Sequence, residues 1–365
     1  MDDHLIRAAV LREVGGPVEL REVTLLAPRA GEVRIKVRAV GVCHSDLSVQ
    51  SGVIPYQTPC VLGHECAGEI LDIGPGVTDW QVGDRVVVQW VPMCRECRSC
   101  RRGEPHLCST YLRVGGRMDD GETRFREGEQ ELVHGINVGG YSDEVVVRQT
   151  AITALPGDVP FETGAVIGCG FLTGWGSVNN IAKATKDEAV AIFGAGGVGL
   201  SAAMAARAAG AIVAVFDPQE ERRELASGVL EHAVKVAHPD DAVGVMKELA
   251  GDRPDVAIDA VGRAKVQLDA LSLVRPGGRV VIAGVNPTET IEMPGYAFGI
   301  QSKRVLGAWF GGCDPQRDLP AVLDGWRDGS LPIDRLITSV RPLTEVALAL
   351  DDLRQARGIR TVLVP

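Results

Sequence analysis

The chain has 365 residues, enough for two cores, because single hydrophobic cores seldom grow past roughly 250–300 residues. A formal net charge of −10 leaves no general basic face, which excludes nucleic acid as the expected partner. The opening Met1-Asp2-Asp3-His4 lacks the apolar core of a signal peptide and no later run is long enough to span a bilayer, so the expectation is a cytoplasmic protein with no membrane partner, its nine cysteines serving as thiols and thiolates rather than as a disulfide framework.

In chain order, residues 33–40 alternate apolar with charged side chains as a half-buried strand does, and Val86–Val88 and Val145–Val147 are further strand-like runs between Gly, Pro and Asp turns. The first half therefore reads as mostly β. Within it Cys94, Cys97, Cys100 and Cys108 follow the spacing C-x2-C-x2-C-x7-C. Four thiolates this close suit one tetrahedral zinc and leave no open position, so the lobe at about residues 92–110 reads as structural. Arg95, Arg98, Arg101 and Arg102 stand where they offset the net negative charge of such a centre. Disulfides or an iron–sulfur cluster rank below zinc on spacing and context. A nucleic-acid-binding zinc knuckle lacks the interleaved aromatics that base stacking needs.

A second constellation is dispersed: Cys43 in Gly41-Val42-Cys43-His44-Ser45-Asp46, His64 and Glu65 in Gly63-His64-Glu65, and Cys169 in Ile167-Gly168-Cys169-Gly170. Two thiolates, an imidazole and a carboxylate or water make an open zinc site able to admit a reacting oxygen. Each of these residues alone reads more naturally as buried structure. Ser45, two residues after Cys43, would share its face on a strand-like backbone and lie within reach of a substrate proton.

From about residue 186, apolar strand cores alternate with Ala-rich helices: Ala189–Phe193, Gly199–Ala209, Ile212–Phe216, Val256–Ile258 and Val280–Ala283. That pattern is a doubly wound parallel sheet. Gly194-Ala195-Gly196-Gly197-Val198-Gly199 follows the first strand and opens the first helix as G-x-G-x-x-G, where glycines let a pyrophosphate approach the helix N-terminus. Asp217 ends the next strand, where a carboxylate accepts from both ribose hydroxyls of NAD and repels the 2′-phosphate of NADP.

Taken together, the GHE triplet, the four-cysteine lobe, the Ile-Gly-Cys-Gly segment, the glycine fingerprint and the closing Gly358-Ile359-Arg360-Thr361 resemble the zinc-dependent alcohol dehydrogenases of the medium-chain dehydrogenase/reductase family over nearly the whole chain. The resemblance implies an α/β fold: a GroES-like, mostly-β catalytic domain from 1–162 and 303–365 around a Rossmann NAD-binding domain from 163–302. It implies two Zn²⁺ per chain, one catalytic and one structural, an NAD cofactor, a small-molecule alcohol or aldehyde substrate and a homodimer. Asp46 then orients the ligand His64, against an ordinary turn-capping role. Glu65 becomes an intermittent ligand. Arg360 and His44 contact the pyrophosphate, His44 standing where some members carry arginine, with a single neutral hydrogen bond as the plainer role. Arg222 bonds the adenosine ribose, against a solvated helix charge. Thr173 and Val285 lie by the cofactor, while Ile54, Trp90 and Trp309 join Val285 around the substrate, each equally readable as core. Ser45 begins a proton relay that in the family ends in a histidine three residues on; here that position is Ser48.

One alternative keeps the architecture: a thiol-dependent formaldehyde dehydrogenase acting on an S-hydroxymethyl thiol adduct. Residues 109–140 are retained as in the dimeric branch containing such enzymes, and Arg113 is positioned in sequence to meet an adduct's carboxylate or simply solvent. The remaining alternative is a non-catalytic, zinc-stabilised nucleotide-binding regulator, which has no need of an open metal site.

Overall fold

The computed structural model describes residues 2–365, with the side chains of residues 111–113, including Arg113, outside the described set. The chain divides into two compact units, Met1–Cys169 with Ile337–Pro365, and Gly170–Leu336. The division falls later than expected at both ends. Residues 303–336 stay with the second unit because Arg304–Gly307 adds a strand to its sheet, in register with Arg279–Ile282. Only the segment from Ile337 onward returns to the first.

The first unit contains a closed barrel of His4–Leu11, Val18–Leu25, Phe125–Glu127, Gln130–His134 and Cys60–Val61. Beside it lies a seven-stranded sheet in the order Ile152–Ala154, Arg85–Val88, Glu65–Ile73, Glu32–Gly41, Arg360–Val364 and Ile337–Pro342, with Glu144–Arg148 also pairing Glu32–Gly41. Pairing of Gly41 with both Glu65 and Val362 brings three strand ends together, and the first candidate site is built there.

The strand Glu32–Gly41 departs from simple alternation. Lys36 and Arg38 are exposed as expected, but Arg34 is only 2% exposed. Its guanidinium is accommodated by the N-terminal segment, standing 3.1 Å from His4 Nδ1 and donating to the Asp2 carbonyl at 3.2 Å. The segment after the cysteine lobe is pinned similarly. Buried Arg124 donates to both Glu32 carboxylate oxygens at 2.8 and 2.6 Å and to Asp120 at 2.7 Å, a charge-satisfied anchor rather than an orphaned cation.

The second unit is a six-stranded parallel sheet ordered Lys235–Ala237, Ile212–Phe216, Ala189–Phe193, Val256–Asp259, Arg279–Ile282, Arg304–Gly307. Numbered along the chain this is 3-2-1-4-5-6, the order that places a topological switch beside the first strand. All five residues of Ala189–Phe193 are buried, as a central parallel strand covered on both faces requires. The helix Gly197–Ala208 packs small side chains inward, with Ala202, Ala203, Ala205 and Ala206 all buried, so its backbone can approach the sheet closely.

Candidate active site

Cys43 caps the N-terminus of a short helix, His44–Gln50, with extended dihedrals of φ −117° and ψ 151°. The expected strand-like run past Cys43 is therefore replaced by a helical turn. Ser45 still reaches the site, its Oγ 3.8 Å from Cys43 Sγ, and Ser48 follows one turn on along the same helix face. His44 is exposed. His64 and Glu65 arrive at the start of the strand Glu65–Ile73, and Cys169 from a wide π-helical turn, Ile167–Phe171.

These segments bring one ligand atom each from Cys43, His64, Glu65 and Cys169 within 4.8 Å of one another, all four residues buried. The donor set fits zinc: two sulfurs, one imidazole and one carboxylate, with both Glu65 oxygens fully buried and neither hydrogen-bonded, Oε1 being met only by the Arg360 ion pair. The hydrogen-bonding Cys169 thiol holds Cys43 well below the usual thiol range, against burial and with help from His64. Burial pushes Glu65 up to about 8 although Arg360 opposes it.

Behind the ligands, Asp46 is fully buried. One of its oxygens lies 3.1 Å from His64 Nδ1 and accepts from the Gly63 amide at 3.1 Å; the other accepts from the Tyr141 hydroxyl at 2.9 Å and faces the Cys43 amide at 3.4 Å. Nδ1 facing a carboxylate carries the ring proton and leaves Nε2 for a metal. Tyr141 belongs to no motif in the sequence, and only the fold carries its hydroxyl to Asp46.

Arg360, expected to meet a pyrophosphate, is 5% exposed and turned inward, with Nη1 3.2 Å from Glu65 Oε1 and 3.3 Å from the Val42 carbonyl it donates to. Trp90 is buried with its ring edge-on to His64 at 6.4 Å between centroids, and Ile54 is half-buried in the same unit.

The second cluster, Cys94, Cys97, Cys100 and Cys108, also has its ligand atoms within 4.8 Å, but only Cys108 is buried. Sulfur separations of 3.5 Å for Cys94–Cys108 and 4.0 Å for Cys97–Cys108 exclude disulfides. They bracket the edge of about 3.8 Å that follows from Zn–S bonds near 2.3 Å in a tetrahedron. Backbone amides of Cys100 and Ser109 hold the Cys97 thiol down to about 5, so the chain itself favours thiolate there.

In the second unit the glycine loop runs as expected from strand to helix. A Cβ on Gly199 would sit 1.9 Å from the Gly194 carbonyl, Gly194 has φ +99°, and a Cβ on Gly196 would meet nothing within 4 Å. Glycine at 196 thus answers to no neighbour in the protein and leaves an open cradle before the free N–H groups of the helix. Asp217 accepts from the Ala195 amide at 2.9 Å and from Gln219 at 3.0 Å, tying its carboxylate to that loop with lone pairs to spare for a ribose. Arg222 is buried, whereas Arg223 donates to the Asp217 and Pro218 carbonyls. Thr173 is buried in the helix Leu172–Gly176, Val285 is exposed, and Trp309 is partly exposed.

Residues 29–157 match the alcohol dehydrogenase GroES-like domain and residues 197–325 the zinc-binding dehydrogenase domain. Over 366 aligned residues the chain is 36% identical to the NDMA-dependent alcohol dehydrogenase of Amycolatopsis methanolica, covering 98% of each. The chain belongs to the zinc-dependent alcohol dehydrogenases of the medium-chain dehydrogenase/reductase family. It is likewise 33% identical to the S-(hydroxymethyl)glutathione dehydrogenase of Paracoccus denitrificans, over 98% of this chain and 99% of that one. Among solved structures it resembles benzyl alcohol dehydrogenase from Acinetobacter calcoaceticus, with a TM-score of 0.92 at 28% identity over 99% of each chain. An alcohol dehydrogenase zinc-binding domain protein from Burkholderia ambifaria gives 0.93 at 29% identity over the full length of both. This dehydrogenase is therefore an oxidoreductase acting on small-molecule alcohols or their aldehydes, with residues fit for zinc and a fold fit for NAD. No helix among the described residues is long and apolar enough to cross a membrane.

Proposed function

We propose that the enzyme interconverts an alcohol and its aldehyde or ketone by hydride exchange with NAD, using a catalytic zinc at Cys43, His64 and Cys169 with Glu65 as intermittent ligand, and a structural zinc at Cys94, Cys97, Cys100 and Cys108. The observation that carries this is the buried meeting of Cys43, His64, Glu65 and Cys169, a donor set that a purely structural lobe does not need. When bound, zinc supplies Lewis acidity that makes an alcohol hydroxyl easier to deprotonate, and NAD accepts the hydride. Ser45 Oγ would accept the alcohol proton while passing its own hydroxyl proton on; because position 48 carries serine and no titratable base, that proton leaves to water.

Asp217 makes NAD the preferred cofactor, with the Gly194–Gly199 loop cradling its pyrophosphate. In this reading the protein is cytoplasmic, a reducing compartment that suits nine cysteines outside disulfides, and the family resemblance makes it a homodimer. Metal analysis expecting about two zinc ions per chain, light scattering for the dimer, and an NADH-monitored screen of alcohols with NAD and NADP test the assignment.

Likeness to an S-(hydroxymethyl)glutathione dehydrogenase supports a second substrate class, thiol–formaldehyde adducts, to be included in the screen. NDMA belongs there too, given the NDMA-dependent relative. Turnover only with NDMA and no free NADH would assign a nicotinamide retained between cycles. No turnover of any alcohol, aldehyde or adduct by protein carrying two zinc ions would refute the reading.

A further inference from the structure

We propose that Tyr141 is a positioning residue for the His64 ligand, its buried hydroxyl fixing the Asp46 carboxylate that holds the imidazole; this rests on the catalytic-zinc reading above.

Asp46 faces four donors from three separate pieces of chain: the Cys43 amide at the helix cap, the Gly63 amide and His64 Nδ1 from the ligand loop, and the Tyr141 hydroxyl from the segment after the barrel. A carboxylate offers about four acceptor directions, so these donors saturate it. The two contacts on the oxygen that faces Tyr141 are unequal. The Cys43 amide stands 3.4 Å away, while the tyrosine bond is 2.9 Å, so that oxygen is held chiefly by Tyr141.

The rest of Tyr141 is built to aim this hydroxyl. Its amide donates to the Leu62 carbonyl at 2.8 Å, and the Gly140 amide donates to Gly63 at 2.7 Å, locking the segment to the loop that carries His64. Its ring lies over Gly63, where φ is +92° and a Cβ would sit 2.5 Å from the ring edge. Tyr141 is fully buried, and burial together with the Asp46 charge pushes its hydroxyl well above the usual phenol range, so it remains a donor. Were the residue mere core, the same ring without the hydroxyl would serve. Here the polar atom is spent on the one carboxylate that orients a ligand.

Tyr141→Phe removes that hydrogen bond and keeps the ring over Gly63. Groups that orient a metal ligand from behind typically change metal affinity by about 10–100-fold when lost. Tyr56→Phe is the control, since the Tyr56 hydroxyl also bridges backbone, donating to the His134 carbonyl at 2.8 Å and accepting from the Asn137 amide at 3.2 Å, without touching Asp46. Zinc-loaded wild type and both variants are challenged with a chromophoric chelator, and the Co²⁺-substituted proteins are examined by visible absorption.

The expected result for Tyr141→Phe is release of one of its two zinc ions about tenfold faster or more, the other at the wild-type rate, with an altered cobalt spectrum. Tyr56→Phe should match wild type in both respects. Wild-type release and spectrum in Tyr141→Phe would overturn the proposal, as would equal acceleration in the two variants, which is general loosening. Wild-type protein with a single zinc in the cysteine lobe would instead overturn the catalytic-zinc reading itself, and this inference with it.

Discussion

The two candidate metal sites of this enzyme are opposites in construction. The cysteine lobe draws all four ligands from fifteen consecutive residues, is mostly half-exposed, and prepares its sulfurs with its own backbone amides. The Cys43–His64–Glu65–Cys169 cluster draws on segments over a hundred residues apart, is wholly buried, and is held by a polar network through Asp46 and Tyr141. A metal in the first organises a loop that has little core of its own. A metal in the second enters a site that the sheet already assembles, so it is free to serve chemistry.

The sharpest break of this comparison is Cys43→Ser. Losing a Lewis acid worth several kcal/mol should lower hydride transfer by about 10³-fold or more, read by stopped-flow NADH absorbance. Asp217→Gly should cut the NAD-over-NADP preference in kcat/KM by about 10–100-fold, because it removes a like charge facing the 2′-phosphate. Comparable kcat/KM for both cofactors in the wild type would show that the carboxylate does not face the ribose.

A smaller effect concerns acid stability near the barrel. His134 Nδ1 donates to the Val138 carbonyl at 3.0 Å and Nε2 accepts from the Arg124 amide at 3.2 Å, so the folded ring is neutral, and burial holds its pKa down to about 3. An unfolded histidine titrates near 6.5. Between these values the unfolded chain binds the extra proton, so this contribution is complete above about pH 6.5 and is lost as pH falls. From pH 6 to 5 the wild type should lose about 1 kcal/mol more than His134→Gln, measured by urea midpoints. The smallest expected effect is Ser48→His, which restores a base one turn from Ser45 and should raise pre-steady-state alcohol oxidation more at pH 7 than at pH 9. An unchanged ratio of the two rates would remove position 48 from the proton path.

The same contrast explains what the sequence made legible. The lobe is local, so C-x2-C-x2-C-x7-C carries its geometry almost directly. The glycine fingerprint is similarly local, and Ala189–Phe193 and Ile212–Phe216 emerge with the boundaries their apolar runs indicate. The dispersed ligands became persuasive only as a set. Their support did not: Tyr141 reaches Asp46 through tertiary folding, and Arg360 turns toward Glu65 because its strand lies beside Gly41. The tail returns at Ile337 rather than at residue 303 because Arg304–Gly307 is a short edge strand with no buried residue, lacking the apolar core that marks its neighbours.

Thermal melts paired with zinc counts for wild type, Cys43→Ser and Cys97→Ser test the division between the clusters most directly. The prediction is about two zinc ions in the wild type, one in Cys43→Ser with a melting temperature close to wild type, and a clear fall in melting temperature or failed assembly in Cys97→Ser. Equal losses of melting temperature in the two variants would contradict a structural lobe set apart from a chemical site.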